Sequence, residues 1–249
     1  MNDTVLLYEE LSLNALPALQ TQFYDGWVLR YTNGYGYTNR ANSVNILYPS
    51  KIDMGTKVTE CEKRYFAQGL PAVFKITDSL DGNLDSFLEG KRYDVVTPTY
   101  LMSAGMDGIQ SDINGCVLTD CIDNEWLNAY FRLSEYVDSK KISIAKQVFS
   151  NIRVTVICGR LIKDGETIAC GLCAVERGFA GLFNVVVDEA YRGRGYGKGI
   201  CVSLLSAAKR VGVHTTYLQA VQENNRAVNL YTKLGYMCAY SYWYRVKRG

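Results

Sequence analysis

The sequence predicts an α/β (α+β) fold built on a mixed sheet, because strand patterns and helix patterns alternate along the chain. Apolar β-branched runs mark the strands, and apolar residues at helical spacing mark the helices. The change of period is sharpest after residues 185–187, where three valines lead into a glycine-dense turn and then a helix pattern. At 249 residues, the chain is long enough for two small domains, each with its own core.

Composition excludes several classes of protein. The net charge is +2, so the chain has no general affinity for polyanions, and nucleic acid is not an expected partner. No apolar run approaches the length of a membrane span, and the first residues lack the basic and apolar regions of a signal peptide. We therefore expect a cytoplasmic protein that does not bind a membrane.

Cysteine and histidine do not form a recognisable metal or redox site. The chain has eight cysteines, and most lie inside apolar strand or helix patterns typical of core residues. Cys170 and Cys173 have C-x-x-C spacing, but on a strand their side chains point to opposite faces. The only histidine, His214, stands alone at a junction between a helix and a strand. We expect no bound metal and no histidine-based catalysis.

The first 112 residues predict a β-β-α-β-α-β order after an opening helix that runs through Leu19. The predicted strands are residues 26–31, 40–48, 72–77 and 99–102, and the predicted helices are residues 54–68 and 84–88. Residues 35–40 form a polar aromatic segment. This segment fits either a plain hairpin turn or one wall of a cleft shared with the C-terminal part, where it would shape the choice of acceptor.

A polar, turn-rich stretch at residues 105–112 is the predicted boundary between domains of residues 1–112 and 113–249. Asp164-Gly165 is a dipeptide that favours a type I′ hairpin turn. The predicted strands are residues 116–118, 153–162, 166–176, 179–187, 217–221 and 240–246, and the predicted helices are residues 124–136, 140–150, one ending near Gly212, and one capped by Asn224.

The turn after the valines is a predicted anion-binding site, which we name the cradle (residues 192–198). Its glycines let successive backbone N–H groups face one ligand, and the positive end of the following helix dipole attracts phosphate. A purely structural tight turn is the alternative. The P-loop and dinucleotide patterns do not fit, because Lys198 is followed by Gly199 and the glycines lack the G-x-G-x-x-G spacing.

Residues 192–197 resemble the acyl-CoA-binding motif (Q/R)-x-x-G-x-(G/A) of the GCN5-related N-acetyltransferase (GNAT) superfamily. The second family motif is N-x-x-A-x-x-L-Y-x-K-x-G-(F/Y). It is met in full by Asn224, Ala227, Leu230, Tyr231, Lys233, Gly235 and Tyr236. The resemblance covers about residues 115–249. The first 112 residues resemble a smaller, degenerate GNAT-like copy that carries neither motif, so no CoA site is expected there.

The resemblance implies an N-acetyltransferase that moves an acetyl group directly from acetyl-CoA, its cosubstrate, to a primary amine of a small molecule or peptide. It also implies residue roles. Tyr231 would contact the cosubstrate and act as general acid toward the sulfur, and Asn224 would contact the CoA arm. The pantetheine arm would pair with Val185, Val186 and Val187, and the pyrophosphate would bind Arg192, Gly193, Arg194, Gly195, Tyr196, Gly197 and Lys198.

One departure from the family leaves the general base open. Gln219 stands where some members place a glutamate, and an amide is not a useful base. Glu176 and Glu223 are candidate bases, although each also fits a solvated surface charge, and a water chain is the other alternative.

Three functions therefore stay open: an N-acetyltransferase, a catalytically weak or inactive CoA-binding module, and a nucleic-acid module that the small net charge disfavours. The oligomeric state is open between a monomer and a homodimer.

Overall fold

The computed structural model describes residues 3–32, 38–77, 82–107 and 115–249, with strands and helices alternating in both halves. The N-terminal half contains α1 (Asp3–Ala15), β1 (Gln20–Tyr24), β2 (Trp27–Tyr31), β3 (Val44–Ile46), α2 (Met54–Phe66), β4 (Ala72–Thr77), α3 (Leu84–Gly90) and β5 (Asp94–Gly105). The C-terminal half contains β6 (Cys116–Thr119), α4 (Asn124–Leu133), α5 (Ser139–Ser150), β7 (Thr155–Lys163), β8 (Glu166–Glu176), β9 (Phe179–Val187), α6 (Tyr196–Arg210), β10 (Thr215–Val221), α7 (Asn225–Lys233) and β11 (Met237–Lys247).

The two halves share one mixed sheet because each contributes a strand to the other. The sheet has 11 strands in the order β1-β2-β3-β4-β11-β5-β10-β9-β8-β7-β6. β11 pairs with β4 and β5, and β5 also pairs with β10. In each half, two parallel strands are joined through a helix: β3 with β4 through α2, and β9 with β10 through α6. This repetition makes the N-terminal half a smaller copy of the C-terminal half.

Helices cover both faces of the sheet and bury separate apolar clusters. On the α6 face, which also carries α2, α3 and α7, Ile200 and Leu204 pack against the strands of the C-terminal half. On the α4 face, which also carries α1 and α5, Trp126 is fully buried and donates from Nε1 to the Gly171 carbonyl at 2.9 Å. Tyr130 and Leu133 are buried beside Trp126, so α4 packs one apolar face against the sheet.

The local turn and cap chemistry agrees with the sequence in most places. Asp164 and Gly165 have φ values of 52° and 82°, as a type I′ hairpin turn requires. Asp123 caps α4 by accepting a hydrogen bond from the Trp126 N–H at 2.7 Å. Cys170 and Cys173 lie on opposite faces of β8, and burial raises the pKa of each thiol to about 12.

Some elements of the N-terminal half differ from the prediction. α1 ends at Ala15 and not at Leu19. Pro17 disfavours helical backbone at the residue before it, Leu16, so the helix stops there. The pattern does not predict β1, whose mostly polar residues are exposed and do not alternate. The predicted strand at residues 40–48 shrinks to β3, since Asn39–Ala41 forms a 3₁₀ turn.

The boundary predicted between residues 112 and 113 stays a prediction, because residues 108–114 lie outside the described part of the chain. In that described part, no helix combines the length and the apolar character needed to cross a membrane.

Candidate active site

The site begins where two parallel strands part. β9 and β10 pair in parallel only as far as Leu182 and Leu218. Beyond that pair, β9 continues to Val187 and β10 to Val221. We name the resulting opening, between residues 183–187 and 219–221, the split. The facing backbone N–H and C=O groups of the two strands are not paired with each other there, so an extended ligand can pair with them.

A β-bulge shapes the β9 side of the split. On β8, Leu172 pairs with Phe183 and Cys170 pairs with Val186. Asn184 and Val185 of β9 therefore both lie opposite Gly171, the single β8 residue between those two pairs. Asn184 has a φ of 53°, which is uncommon outside glycine. Its buried Nδ2 has no hydrogen-bond partner among the described residues. The three-valine run gives no signal of this bulge.

The predicted cosubstrate residues of β9 point to both faces of the sheet. Val185 and Val187 pack against the cluster under α6, whereas Val186 packs on the α4 face. The strand therefore presents its edge to the split, and its side chains hold it between two packed layers.

The cradle lies at the N-terminus of α6 and leaves that end of the helix open. Gly195 is the N-cap residue, with a φ of 87° and no side-chain cap. The first helical bond runs from the Gly199 N–H to the Gly195 carbonyl at 2.9 Å, so the N–H groups of residues 196–198 have no acceptor within the helix. A Cβ built on Gly193 or Gly195 would meet no atom within 4 Å. Three exposed cations flank this opening: Arg192, Arg194 and Lys198.

The equivalent helix of the N-terminal half is closed. Asp53 caps α2, and its carboxylate accepts a hydrogen bond from the Thr56 N–H at 2.9 Å. A carboxylate at this position already accepts a hydrogen bond from the N–H groups that a phosphate would use, and its negative charge repels a phosphate. This geometry agrees with the lack of both motifs in the first half.

The second motif packs directly against the cradle. A Cβ on Gly197 would lie 3.3 Å from Leu230 Cδ2 and 3.7 Å from Val187 Cγ2, so α6, α7 and β9 meet at this glycine. Asn224 caps α7 as predicted, since its Oδ1 accepts from the Ala227 N–H at 3.1 Å. The two motifs and the end of the valine strand thus form one continuous region.

Tyr231 is partly buried on the side of α7 that packs against the sheet. Its ring packs edge-on against Tyr236, with 5.9 Å between centroids, and touches the cluster under α6. Burial raises the pKa of Tyr231 above its ordinary value. The phenol therefore stays protonated at neutral pH and can act only as a hydrogen-bond or proton donor toward an anion.

The structure does not bring Glu176 together with the cradle. Glu176 lies at the far end of β8 from the strand pair Cys170 and Val186, about 20 Å away at about 3.3 Å per residue. Both of its carboxylate oxygens accept from Asn14 Nδ2 at 3.1 Å. Glu223 is exposed in the turn between β10 and α7, close to the end of the split.

A cavity of about 550 Å³, which we name the central cavity, opens on the α4 face beside the split. Gln219 lines it, and its Oε1 accepts from the Tyr242 hydroxyl at 3.1 Å and from Arg40 Nη1 at 3.4 Å. Of the predicted cleft segment, residues 38–40 line this cavity, and residues 35–37 lie outside the described part. Tyr242 and Tyr244 also line it, whereas the sequence predicts only that they lie in a strand.

Comparisons with known proteins identify the family of this chain. Residues 7–245 match the family described as "Probable histone acetyltransferase Rv0428c C-terminal", and the chain belongs to this family. The uncharacterized N-acetyltransferase YobR of Bacillus subtilis is 29% identical over 251 residues, covering 99% of this chain and 100% of the relative.

Two solved structures share the fold over nearly the whole chain. A GCN5-related N-acetyltransferase from Kribbella flavida has a TM-score of 0.69 at 13% identity, covering 98% of this chain and 95% of its own. A tandem GNAT protein from the clavulanic acid biosynthesis pathway, solved without AcCoA, has a TM-score of 0.64 at 12% identity, covering 98% and 96%. At these identities the structures show the fold alone. Together the comparisons confirm a GNAT superfamily protein with tandem GNAT-like domains, and its relatives support acetyl transfer.

Proposed function

We propose that the protein is an N-acetyltransferase that moves the acetyl group of acetyl-CoA directly to a primary amine of a small molecule or peptide. The observation that carries the proposal is the uncapped N-terminus of α6 beside the open end of the split. The helix N-terminus suits a pyrophosphate, and the split suits an extended arm that pairs like an added strand.

Several features of the site support acetyl-CoA as the ligand. The open space over Gly193 and Gly195 admits a phosphate close to the backbone, and the N–H groups of residues 196–198 would bind it. Arg192, Arg194 and Lys198 would add charge. The β9 backbone at residues 185–187 would pair with the arm, and Asn224 would contact it with its amide nitrogen, since its oxygen caps α7.

When bound, acetyl-CoA supplies a thioester whose acyl carbon an amine can attack. We propose that a backbone N–H near Val186, which the bulge leaves outside the ladder, donates a hydrogen bond to the developing oxyanion. We assign to Tyr231 the donation of a proton to the departing sulfur. The described residues that line the central cavity include no carboxylate, so the amine proton leaves through water or through Glu223 at the mouth of the split.

Thiol release from acetyl-CoA, followed with a panel of amines, tests this proposal. We expect thiol release that depends on an amine and matches the formation of an acetylated amine. Because transfer is direct, enzyme incubated with acetyl-CoA alone should gain no acetyl group by intact-protein mass spectrometry. An acetylated enzyme that forms at the turnover rate would contradict direct transfer. Binding of acetyl-CoA with no turnover of any amine would favour the binding-module alternative.

A further inference from the structure

The central cavity is built by both halves of the chain and meets the split at Gln219. Gln219 directly follows Leu218, the last residue of β10 paired with β9. Its side chain and those of Tyr242 and Thr99 line the cavity from the shared sheet, and Arg40 lines it from the N-terminal half. A group bound in this cavity is therefore adjacent to the place where the arm of the cosubstrate would end under the proposed function.

The charges around the cavity are positive. Arg40 and Arg248 line it, and the described residues of its wall include no aspartate or glutamate. Among the described residues, no carboxylate lies within ion-pair distance of Arg40, and its side chain donates one hydrogen bond, to the neutral Gln219. An anion entering the cavity would find a guanidinium that has no competing carboxylate.

A second, buried guanidinium lies directly behind Arg40. Arg30 is 3% exposed and donates to three backbone carbonyls, those of Arg40, Leu13 and Leu16, but to no described carboxylate. Burial lowers the pKa of Arg30 to about 10, so the group remains charged at neutral pH. The other buried cation nearby, Lys75, is matched by Glu9 at 2.6 Å. The local excess of charge is therefore positive, and it acts through a poorly hydrated interior.

The wall of the cavity also carries a buried tyrosine hydroxyl. The Tyr244 side chain is 2% exposed, and its hydroxyl makes no hydrogen bond of standard geometry with a described residue. Burial and the neighbouring Tyr242 hydroxyl raise the pKa of Tyr244, so the two hydroxyls interact. A buried hydroxyl without a good hydrogen bond lowers the stability of the fold. A ligand oxygen that accepts a hydrogen bond from this hydroxyl would explain why a tyrosine stands here.

We infer that the central cavity binds an anionic group, a carboxylate or a phosphate, on the small amine that accepts the acetyl group, with Arg40 as its principal anchor. Tyr244 donates a second hydrogen bond to that group, and the amine of the same molecule extends past Gln219 to the split. The cavity volume of about 550 Å³ matches a small-molecule site. This inference rests on the proposed function and narrows its acceptor class.

The experiment compares amines in pairs with and without an anionic group, at equal concentrations of the unprotonated amine. Suitable pairs are glycine with glycinamide, β-alanine with ethanolamine, and glucosamine 6-phosphate with glucosamine. We expect the best acceptor to be an anionic member, and Arg40→Gln to raise its KM by about 10- to 100-fold with kcat little changed. The neutral partner should lose nothing. The amino-acid and phosphate pairs distinguish a carboxylate from a phosphate as the bound group.

One further variant is a control, and another is a second test of the inference. Arg153→Gln changes an exposed arginine that bonds a backbone carbonyl away from the cavity, and it should leave the preference intact. Tyr244→Phe removes only a buried hydroxyl that makes no hydrogen bond of standard geometry, so it should change the melting temperature little while raising KM for the anionic amine. A merely structural Tyr244 would not separate these two readouts.

Calorimetry with acetyl-CoA on the same preparations distinguishes a failure of the proposed function from a failure of the anionic-acceptor inference. Failure to bind acetyl-CoA would overturn the proposed function itself. If acetyl-CoA binds and the preferred acceptor is neutral, or if Arg40→Gln leaves the preference unchanged, the anionic-acceptor inference is wrong. If no amine is acetylated, the melting temperature decides: anionic members must stabilise the wild type more than Arg40→Gln, and equal shifts would overturn the inference.

Discussion

At the scale of single residues, Tyr231 is the group whose chemical role can be separated from its packing. Tyr231→Phe removes one hydroxyl and leaves the ring against Tyr236. We expect kcat to fall by about 100-fold, the low end for general acid catalysis, because a thiolate is already a fair leaving group. Acetyl-CoA affinity should change little. Tyr236→Phe is the matched control: it breaks a buried hydrogen bond with Thr216 at 2.7 Å and should cost stability, not kcat. Wild-type turnover in Tyr231→Phe would leave Tyr231 a packing residue.

The described wall of the central cavity has no carboxylate, and this predicts how kcat/KM depends on pH. Burial raises the pKa of Tyr231, and a general acid must be protonated, so Tyr231 should cause no loss of activity up to about pH 10. The rise of kcat/KM with pH should then follow the pKa of the acceptor amine. Profiles for two acceptors with different amine pKa values test this. A rise that stays at one pH for both acceptors would indicate a base on the enzyme.

At the scale of elements, the bulge in β9 is held in place by close packing between β8 and α6. A Cβ on Gly171 would lie 2.9 Å from Leu204 Cδ1 and 3.3 Å from Val185 Cγ2. Gly171→Ala should therefore displace the bulge and weaken acetyl-CoA binding by roughly tenfold, in addition to an overpacking cost of about 1–3 kcal/mol.

Gly159 provides the matched control for that prediction. It pairs with Gly171 across the strands, and its Cβ would press on the same helix, 2.9 Å from Ile200 Cδ1 and 3.1 Å from Leu204 Cδ2. Gly159→Ala should cost similar stability in denaturant unfolding without weakening acetyl-CoA binding. Equal Kd values for the two variants would show that the bulge is not part of the binding site.

Much of the C-terminal half could be predicted because its local signals are strong. The valines, the Asp164-Gly165 turn and the Asn224 cap each specify backbone geometry within a few residues. The bulge at Asn184 could not be predicted, since it depends on how β8 and β9 register against each other. Gln219 and Arg40 are far apart in the sequence, so only the shared sheet shows that they line one cavity.

At the scale of the whole molecule, the exchange of β5 and β11 makes the halves depend on each other. Residues 113–249 alone would lack β5, which pairs with both β10 and β11. Two strands would then expose unpaired edges, so we expect this fragment to aggregate or remain unfolded. Co-expression with residues 1–112 should restore a folded, acetyl-CoA-binding complex. A monomeric, cooperatively folded 113–249 fragment would contradict the exchange.

The central claim is that the open N-terminus of α6 binds acetyl-CoA, and calorimetric titration of two glycine variants tests it most directly. Gly195 and Gly212 flank the two ends of α6, with φ values of 87° and 86° and no atom within 4 Å of an added Cβ. Valine imposes the same backbone strain at each position. The account predicts that Gly195→Val abolishes the heat of acetyl-CoA binding and that Gly212→Val retains wild-type affinity. Wild-type affinity in a folded Gly195→Val protein would contradict it.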